Sequence, residues 1–403
     1  MKTALGHIKV LDLSRVLAGP WATQNLADMG AEVIKVERPL QGDDTRAWGP
    51  PFLKDANGQD TTASSYFLSA NRGKKSITVD IAKPEGQALI RDLARNTDVL
   101  VENYKVGNLA RYGLAYENLR QINPRIVYCS ITGFGQTGPS ADLPGYDFIF
   151  QGMGGIMSMT GQPGGEPMKV GIGLSDLLTG TVATTAILAA LEHRNVSGVG
   201  QYIDVSLLDT MVSLNSYQAI NYFLSGNIPR RMGNAHLNMV PYQVFHCQEG
   251  DIIIAVGNDA QYRALCKAIG REELATDARF STAGQRNLNR GELIPQIAHA
   301  MRARTMVQWV ELLQASNVPC GPIYNLQQVF EDEQVQHRQL RLSLPHVSGV
   351  QAPGVANPIR FSDTPIRYER AAPSLGEHNE EVLGQRLGLD TERIAALKRD
   401  GVL

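Results

Sequence analysis

A chain of 403 residues exceeds the usual size of one domain, and 43% hydrophobic with 19% charged residues lies near globular averages, which excludes disordered, collagen-like and coiled-coil classes. Lys+Arg 38 against Asp+Glu 40 leaves a formal charge of -2, without the broad basic surface of a nucleic-acid binder, so an anionic ligand must be held locally. The four cysteines, Cys129, Cys247, Cys266 and Cys320, are far apart with no C-x-x-C, which argues against a disulfide framework or a structural zinc and fits a reducing cytoplasm.

The first two hundred residues alternate short apolar β-type runs with helical stretches, the pattern of a parallel sheet covered by helices. Strands are predicted at 8–13, 32–36, 76–81, 99–102 and 126–131, and helices at 20–29 and 84–95. Residues 137–173 are rich in Gly and Pro and read as loop with close backbone approaches. A helix at 175–193 follows, apolar or small all round and therefore expected to be buried. From Tyr242 the texture changes to strands at 243–246 and 251–256 and helices at 259–268, 288–302 and 306–315. Strand-like sequence after Pro345 suggests a return to the first domain. The expected layout is a large α/β domain of residues 1–225 and 331–403 and a smaller α+β domain of residues 226–330. No apolar run follows Lys2 and no stretch reaches 18 apolar residues, so neither membrane crossing nor secretion is expected.

Standard motifs are mostly absent. Gly73-Lys74 is followed by Lys75 and lacks the earlier glycine of a P-loop, and Gly152-Met153-Gly154-Gly155 is only a fragment of a dinucleotide fingerprint. Gly173-Leu174-Ser175-Asp176-Leu177 starts like a nucleophile elbow but ends in Leu, and no clustered His, Cys and carboxylate set suggests a metal. What remains is Asp176, which opens the buried helix with Ser175 as its expected N-cap, where free N–H groups and the helix dipole favour an ionised carboxylate. Such a residue either acts as a nucleophile or simply stabilises its helix, and local sequence leaves both open.

Several segments in one order carry more information. Val10-Leu11-Asp12-Leu13-Ser14-Arg15 through Gly19-Pro20, Gly30-Ala31-Glu32 through Glu37-Arg38-Pro39, Gly42 to Arg46, Asn71-Arg72-Gly73-Lys74-Lys75, Val101-Glu102-Asn103-Tyr104 and Gly145-Tyr146-Asp147 together resemble the class III CoA-transferases. The resemblance runs from Ile8 to about Leu383. It implies a Rossmann-like large domain made from both ends of the chain, a smaller domain between, and an interlocked homodimer. It also implies that Asp176 is the catalytic nucleophile, with no tightly bound cofactor and with CoA or acyl-CoA and a small carboxylic acid as substrates. Along CoA it places Val16, Arg38, Lys75, Asn103, Tyr104 and Arg111, whereas Lys74 reads as a solvated surface lysine.

Two positions separate subfamilies. The racemases carry a histidine where this chain has Tyr146, and the formyl-CoA/oxalate type carries a glutamine where it has Leu17. Arg15, Gly42 to Pro51 and the stretch from Ala235 to Gln243 look most like the succinyl-CoA:glutarate transferases. A dicarboxylate needs a cation for its far end, and Arg15, Arg46 and His236 are the candidates. Tyr146 and Asn234 complete the expected substrate contacts.

Overall fold

The computed structural model describes residues 3–403. The chain forms two compact units: one comprises the chain up to Ile156 with Lys169–Ile220 and Gln336–Leu403, the other Met157–Met168 with Asn221–Val335.

The first unit is built on strands β1 (Lys9–Asp12), β2 (Glu32–Glu37), β3 (Lys75–Thr78), β4 (Val99–Glu102), β5 (Val127–Thr132) and β6 (Tyr202–Ser206). They form one parallel sheet in the order β3-β2-β1-β4-β5-β6, the doubly wound arrangement of dinucleotide-binding folds. Strands buried on both faces need apolar residues at successive positions rather than alternating ones. Val10 and Leu11, then Val99, Leu100 and Val101, supply them. On one face Val10, Val33, Val99 and Val101 pack under Ala22 and Leu26 of the Ala18–Asp28 helix and Ala183, Ile187 and Ala190 of the Leu174–Ser197 helix. On the other face Leu11, Ile34 and Leu100 pack under Leu89, Ile90 and Leu93 of the Pro84–Ala94 helix, together with Val382, Leu383 and Ile394 from the C-terminal end.

The second unit has a three-stranded antiparallel sheet with Asp251–Ala255 between Tyr242–His246 and Cys320–Pro322. Helices Asp259–Ala268, Arg290–Met301 and Met306–Ala315 close its core over Phe245, Ile252 and Ile254.

The structure departs from the sequence reading at several places. The long helix is buried along one stripe only, through Thr179, Gly180, Ala183, Thr184, Ile187 and Leu191, while Val182 and Val196 are exposed on the other side. By length and composition it could cross a bilayer, yet its buried stripe packs like a core helix. A methyl group on Gly180 would sit 2.4 Å from the Ala18 carbonyl oxygen, so glycine lets this helix approach the Ala18–Asp28 helix closely. The Gly-rich stretch read as loop contains helices Asp147–Met153 and Ile156–Met159. Strand β6, the Phe52–Lys54/Asp60–Ser64 hairpin and helices Asn379–Leu387 and Thr391–Arg399 went unread.

Candidate active site

In a doubly wound sheet ligands bind beyond the carboxyl ends of the strands, where the strand order reverses. Here that point lies between β1 and β4. The chain leaving β1 carries Arg15 and Val16, and the chain leaving β4 carries Asn103 and Tyr104. Asn103 ties the two ends: its Oδ1 accepts from the Arg15 N–H at 2.9 Å and its Nδ2 donates to the Arg15 carbonyl at 2.7 Å. Glu102 braces the second end by accepting from the Tyr104 N–H at 2.7 Å. Burial pushes that carboxyl up to about 7, against the hydrogen bonds from Ser130 and Tyr104.

A cavity of about 220 Å³ opens at this point, lined by Asp176, Arg15, Val16, Asn103, Tyr104 and Tyr146 among others. A second, of about 690 Å³, extends past Arg38, Leu40, Asn108 and Tyr112, and Arg15 and Tyr104 line both. Six of the residues expected from sequence thus share one chamber, and Arg38 lies along its continuation. Arg111 is exposed in the turn joining Asn108 to Tyr112.

Asp176 sits in the first turn of the Leu174–Ser197 helix, whose N-cap is Gly173 rather than the expected Ser175. Ser175 turns instead to Asp147, which accepts from its N–H at 2.7 Å and from its hydroxyl at 2.9 Å. Gln151 donates to the other Asp147 oxygen at 2.8 Å and to the Ile172 carbonyl at 3.1 Å, so Asp147 and Gln151 fix the loop that presents Asp176. Burial, and then the negative charge of Asp147, push the Asp176 carboxyl up to about 7. The helix terminus, expected to keep this carboxylate ionised, is outweighed. A methyl group on Gly173 would stand 3.0 Å from Leu17 Cδ2 and 3.9 Å from both Asp176 Oδ2 and the Tyr66 hydroxyl. Leu17 and Tyr66 therefore wall the carboxylate.

Below the chamber lies a buried set of charges. Arg46 is one of the expected substrate cations, but its guanidinium forks onto Glu37 at 2.7 Å twice, donates to the Pro373 carbonyl and stacks 3.7 Å from the Phe67 ring centre. At 5% exposure and lining neither cavity, it anchors the loop after β2. Lys75, expected along CoA, lies on edge strand β3 and pairs with Glu32 and Glu381 at 3.0 and 2.8 Å, away from both cavities. Lys74, read as solvated, is fully buried: its ammonium donates to Asp12, Asn71 and the Pro20 carbonyl, and burial pulls its pKa down to about 8.

Arg15 differs from these. Its ion pair with Asp44, at 3.0 Å, is solvent-exposed and so of little strength; its Nε, like Arg46 Nη1, is buried without an acceptor among the described residues. The guanidinium lies 5.5 Å from the Tyr104 ring centre. It lines the chamber wall, where a substrate carboxylate can compete with Asp44 for it.

The sequence matches the model of CoA-transferase family III over residues 5–379. The chain belongs to CoA-transferase family III. It is 50% identical over 384 residues to the succinate–glutarate CoA-transferase of Agrobacterium fabrum, covering 95% of this chain and 96% of that one. It is 42% identical over 401 residues to the succinyl-CoA:glutarate CoA-transferase of Homo sapiens, covering 99% and 90%. A crystal structure of a CAIB/BAIF family protein from Brucella suis superimposes with a TM-score of 0.84 at 45% identity, covering 96% of this chain and 100% of that one.

In the second unit of this CoA-transferase, His236 serves its own loop. Its Nδ1 accepts from the Asn238 and Met239 N–H groups at 3.0 and 3.1 Å, and its carbonyl accepts from Arg290 at 2.7 Å. Burial and the nearby Arg290 charge lower its pKa, which disfavours the charged ring expected to meet a far carboxylate. Asn234 is exposed on the same loop. Tyr66, Asp147 and Gln151 were missed as functional residues. For Asp147 a signal existed, since it closes the Gly145-Tyr146-Asp147 motif, whereas Tyr66 lies in a stretch with no motif. Among the described residues no group of three or more His, Cys, Asp or Glu could hold a metal.

Proposed function

We propose that the chain moves CoA from succinyl-CoA to glutarate or a similar dicarboxylate, with Asp176 as the nucleophile. The observation that carries this reading is the shared chamber, which Asp176 and Arg15 line together and which continues through Arg15 and Tyr104 into the larger groove past Arg38. The named activities of the 50% and 42% identical relatives support the choice of donor and acceptor.

The Asp176 carboxylate attacks the thioester carbonyl, the C–S bond breaks, and CoA leaves as thiolate, giving an aspartyl–succinyl anhydride. The thiolate then attacks the aspartyl carbonyl, succinate leaves, and an aspartyl-CoA thioester remains. Glutarate attacks that thioester and expels the thiolate, which attacks the glutaryl carbonyl, releasing glutaryl-CoA and the free Asp176 carboxylate. Charges and protons balance without a metal or resident cofactor. Backbone N–H groups near the chamber would stabilise the tetrahedral oxyanions. Val16, Asn103, Tyr104, Arg38 and Arg111 are assigned to CoA, Arg15 and Tyr146 to the acid.

Only the ionised form of Asp176 attacks. With its pKa raised to about 7, kcat/KM for acyl-CoA should fall as pH drops through that region, about tenfold per unit below it. Asp147→Asn keeps an acceptor for Ser175 but removes the charge that raises the Asp176 pKa. The acid limb should therefore move to lower pH, and a limb that stays in place would remove Asp147 from the account.

The apolar side chain of Leu17 offers no amide for a small acid such as oxalate, and Tyr146 stands where the racemases carry their histidine. The experiment is a set of acids offered with succinyl-CoA, with products read by mass. Glutarate should exceed butyrate by on the order of ten- to a hundredfold in kcat/KM, because an arginine left without its far carboxylate is a lost charge-assisted bond. Arg15→Gln should erase that preference while transfer continues. Preference for oxalate or butyrate in the unmodified enzyme would sink the acceptor assignment.

The chain is also read as a homodimer, the assembly that the family resemblance implies, and the 44–58% exposure of Phe148, Ile149, Met153 and Val182 in the first unit supports it.

A further inference from the structure

We propose that Asp43 is a positioning residue for CoA transfer, clamping the Arg15–Val16 turn so that this part of the chamber shared with Asp176 is formed before substrate binds. The inference rests on the reading of this chamber as the transfer site.

Val16 has φ of 70°, in the left-handed region that a β-branched residue avoids. Its N–H points at Asp43, at 3.2 and 3.3 Å from the two carboxylate oxygens. Asp43 is itself immobile: Lys35 donates to it at 2.9 Å, the Thr45 hydroxyl at 2.8 Å and the Thr45 N–H at 3.0 Å, and the Lys35 and Asp43 side chains are fully buried. The same Lys35 ammonium donates to the Ser14 carbonyl at 2.9 Å. Ser14 is thus held by Lys35, Arg15 by Asn103 at both its N–H and its carbonyl, and Val16 by Asp43. No polar backbone group from the Ser14 carbonyl to the Val16 N–H is left to relax. Strain of this kind persists only where the surroundings over-determine it, and it gathers at functional sites. Val16 and Arg15 both line the chamber with Asp176, so the strained turn sets where the Arg15 fork stands. Burial opposes ionisation of Asp43, but Lys35 and the Thr45 hydrogen bonds hold its pKa down to about 2, and the clamp stays charged across the working pH range.

The test uses three variants of the full chain. Asp43→Asn keeps an acceptor but removes the charge, and Lys35 still has Asp12 and Glu37 nearby. Lys35→Met combined with Asp43→Asn removes both charges, leaving no lone buried ammonium. Val16→Gly added to this pair lets the turn adopt positive φ without a clamp. Both clamp variants should fold, judged by circular dichroism and unfolding temperature, yet lose on the order of tenfold or more in kcat/KM with kcat itself reduced, the effect of a displaced positioning group. Adding Val16→Gly should return a large part of the lost kcat without raising the unfolding temperature. Wild-type kcat/KM in either folded clamp variant would overturn the inference. So would a loss that follows unfolding temperature alone and that Val16→Gly does not relieve. Asp176→Ala serves as the control: if it stays active, the reading of the chamber fails, whereas an inactive Asp176→Ala beside an active Asp43→Asn refutes the clamp alone.

Discussion

Asp176→Ala and Asp176→Asn are expected to lower kcat for CoA transfer by on the order of a thousandfold or more while leaving the protein folded, because every step passes through a bond to that carboxylate. Asparagine has the shape but cannot form the anhydride. Neither change should harm stability, since Asp176 is a charge raised in pKa by burial and by Asp147, and removing it relieves both. Binding of acyl-CoA should survive, because the groove past Arg38 and Tyr104 is untouched. Steady-state assay with unfolding measured in parallel checks this, and a tenth of the original turnover in either variant would exclude covalent transfer through Asp176.

Arg46→Gln is expected to act on stability. The Arg46–Glu37 pair is buried on both sides, and removing one member of such a pair costs about 3–5 kcal/mol because the other charge stays behind. The damage spreads locally, since Glu37 also accepts from the Asp43 N–H at 3.0 Å and from the Ser76 hydroxyl at 2.7 Å. Glu37→Gln combined with Arg46→Gln should recover much of the loss, since no lone charge remains. Urea unfolding with both variants decides the matter. An unchanged midpoint in Arg46→Gln together with a lost preference for dicarboxylates would return Arg46 to the acceptor site.

The sheet was legible where burial is two-sided. Runs such as Val99-Leu100-Val101 announce a central parallel strand, and Val99–Glu102 is a strand with those bounds. The surface hairpin and the C-terminal helices were not. The Asp60–Ser64 strand is a Thr- and Ser-bearing half of a hairpin, and the Thr391–Arg399 helix shows only Ile394 and Leu397 to the core, too few to mark a period. The same division holds for the site. Asp176, Arg15, Asn103 and Tyr104 came from ordered motifs and meet in one chamber. Whether an arginine or lysine is free or committed depends on residues far along the chain: Lys74 on Asp12, Arg46 on Pro373, Lys75 on Glu381. The Asp176 pKa moves up where the sequence led one to expect it low, for the same reason, since Asp147 is brought to it by the fold and lies 28 residues before Ser175, which it holds.

The central claim is that Asp176 carries first the acyl group, as an anhydride, and then CoA, as a thioester. The most direct measurement mixes the enzyme with succinyl-CoA, traps with hydroxylamine or borohydride, digests, and reads peptide masses. The account predicts a changed mass confined to the peptide carrying Asp176, a hydroxamate after hydroxylamine or an alcohol after borohydride, absent without acyl-CoA and absent in Asp176→Asn. An unmodified Asp176 in enzyme that is turning over, or an adduct on another residue, would contradict it.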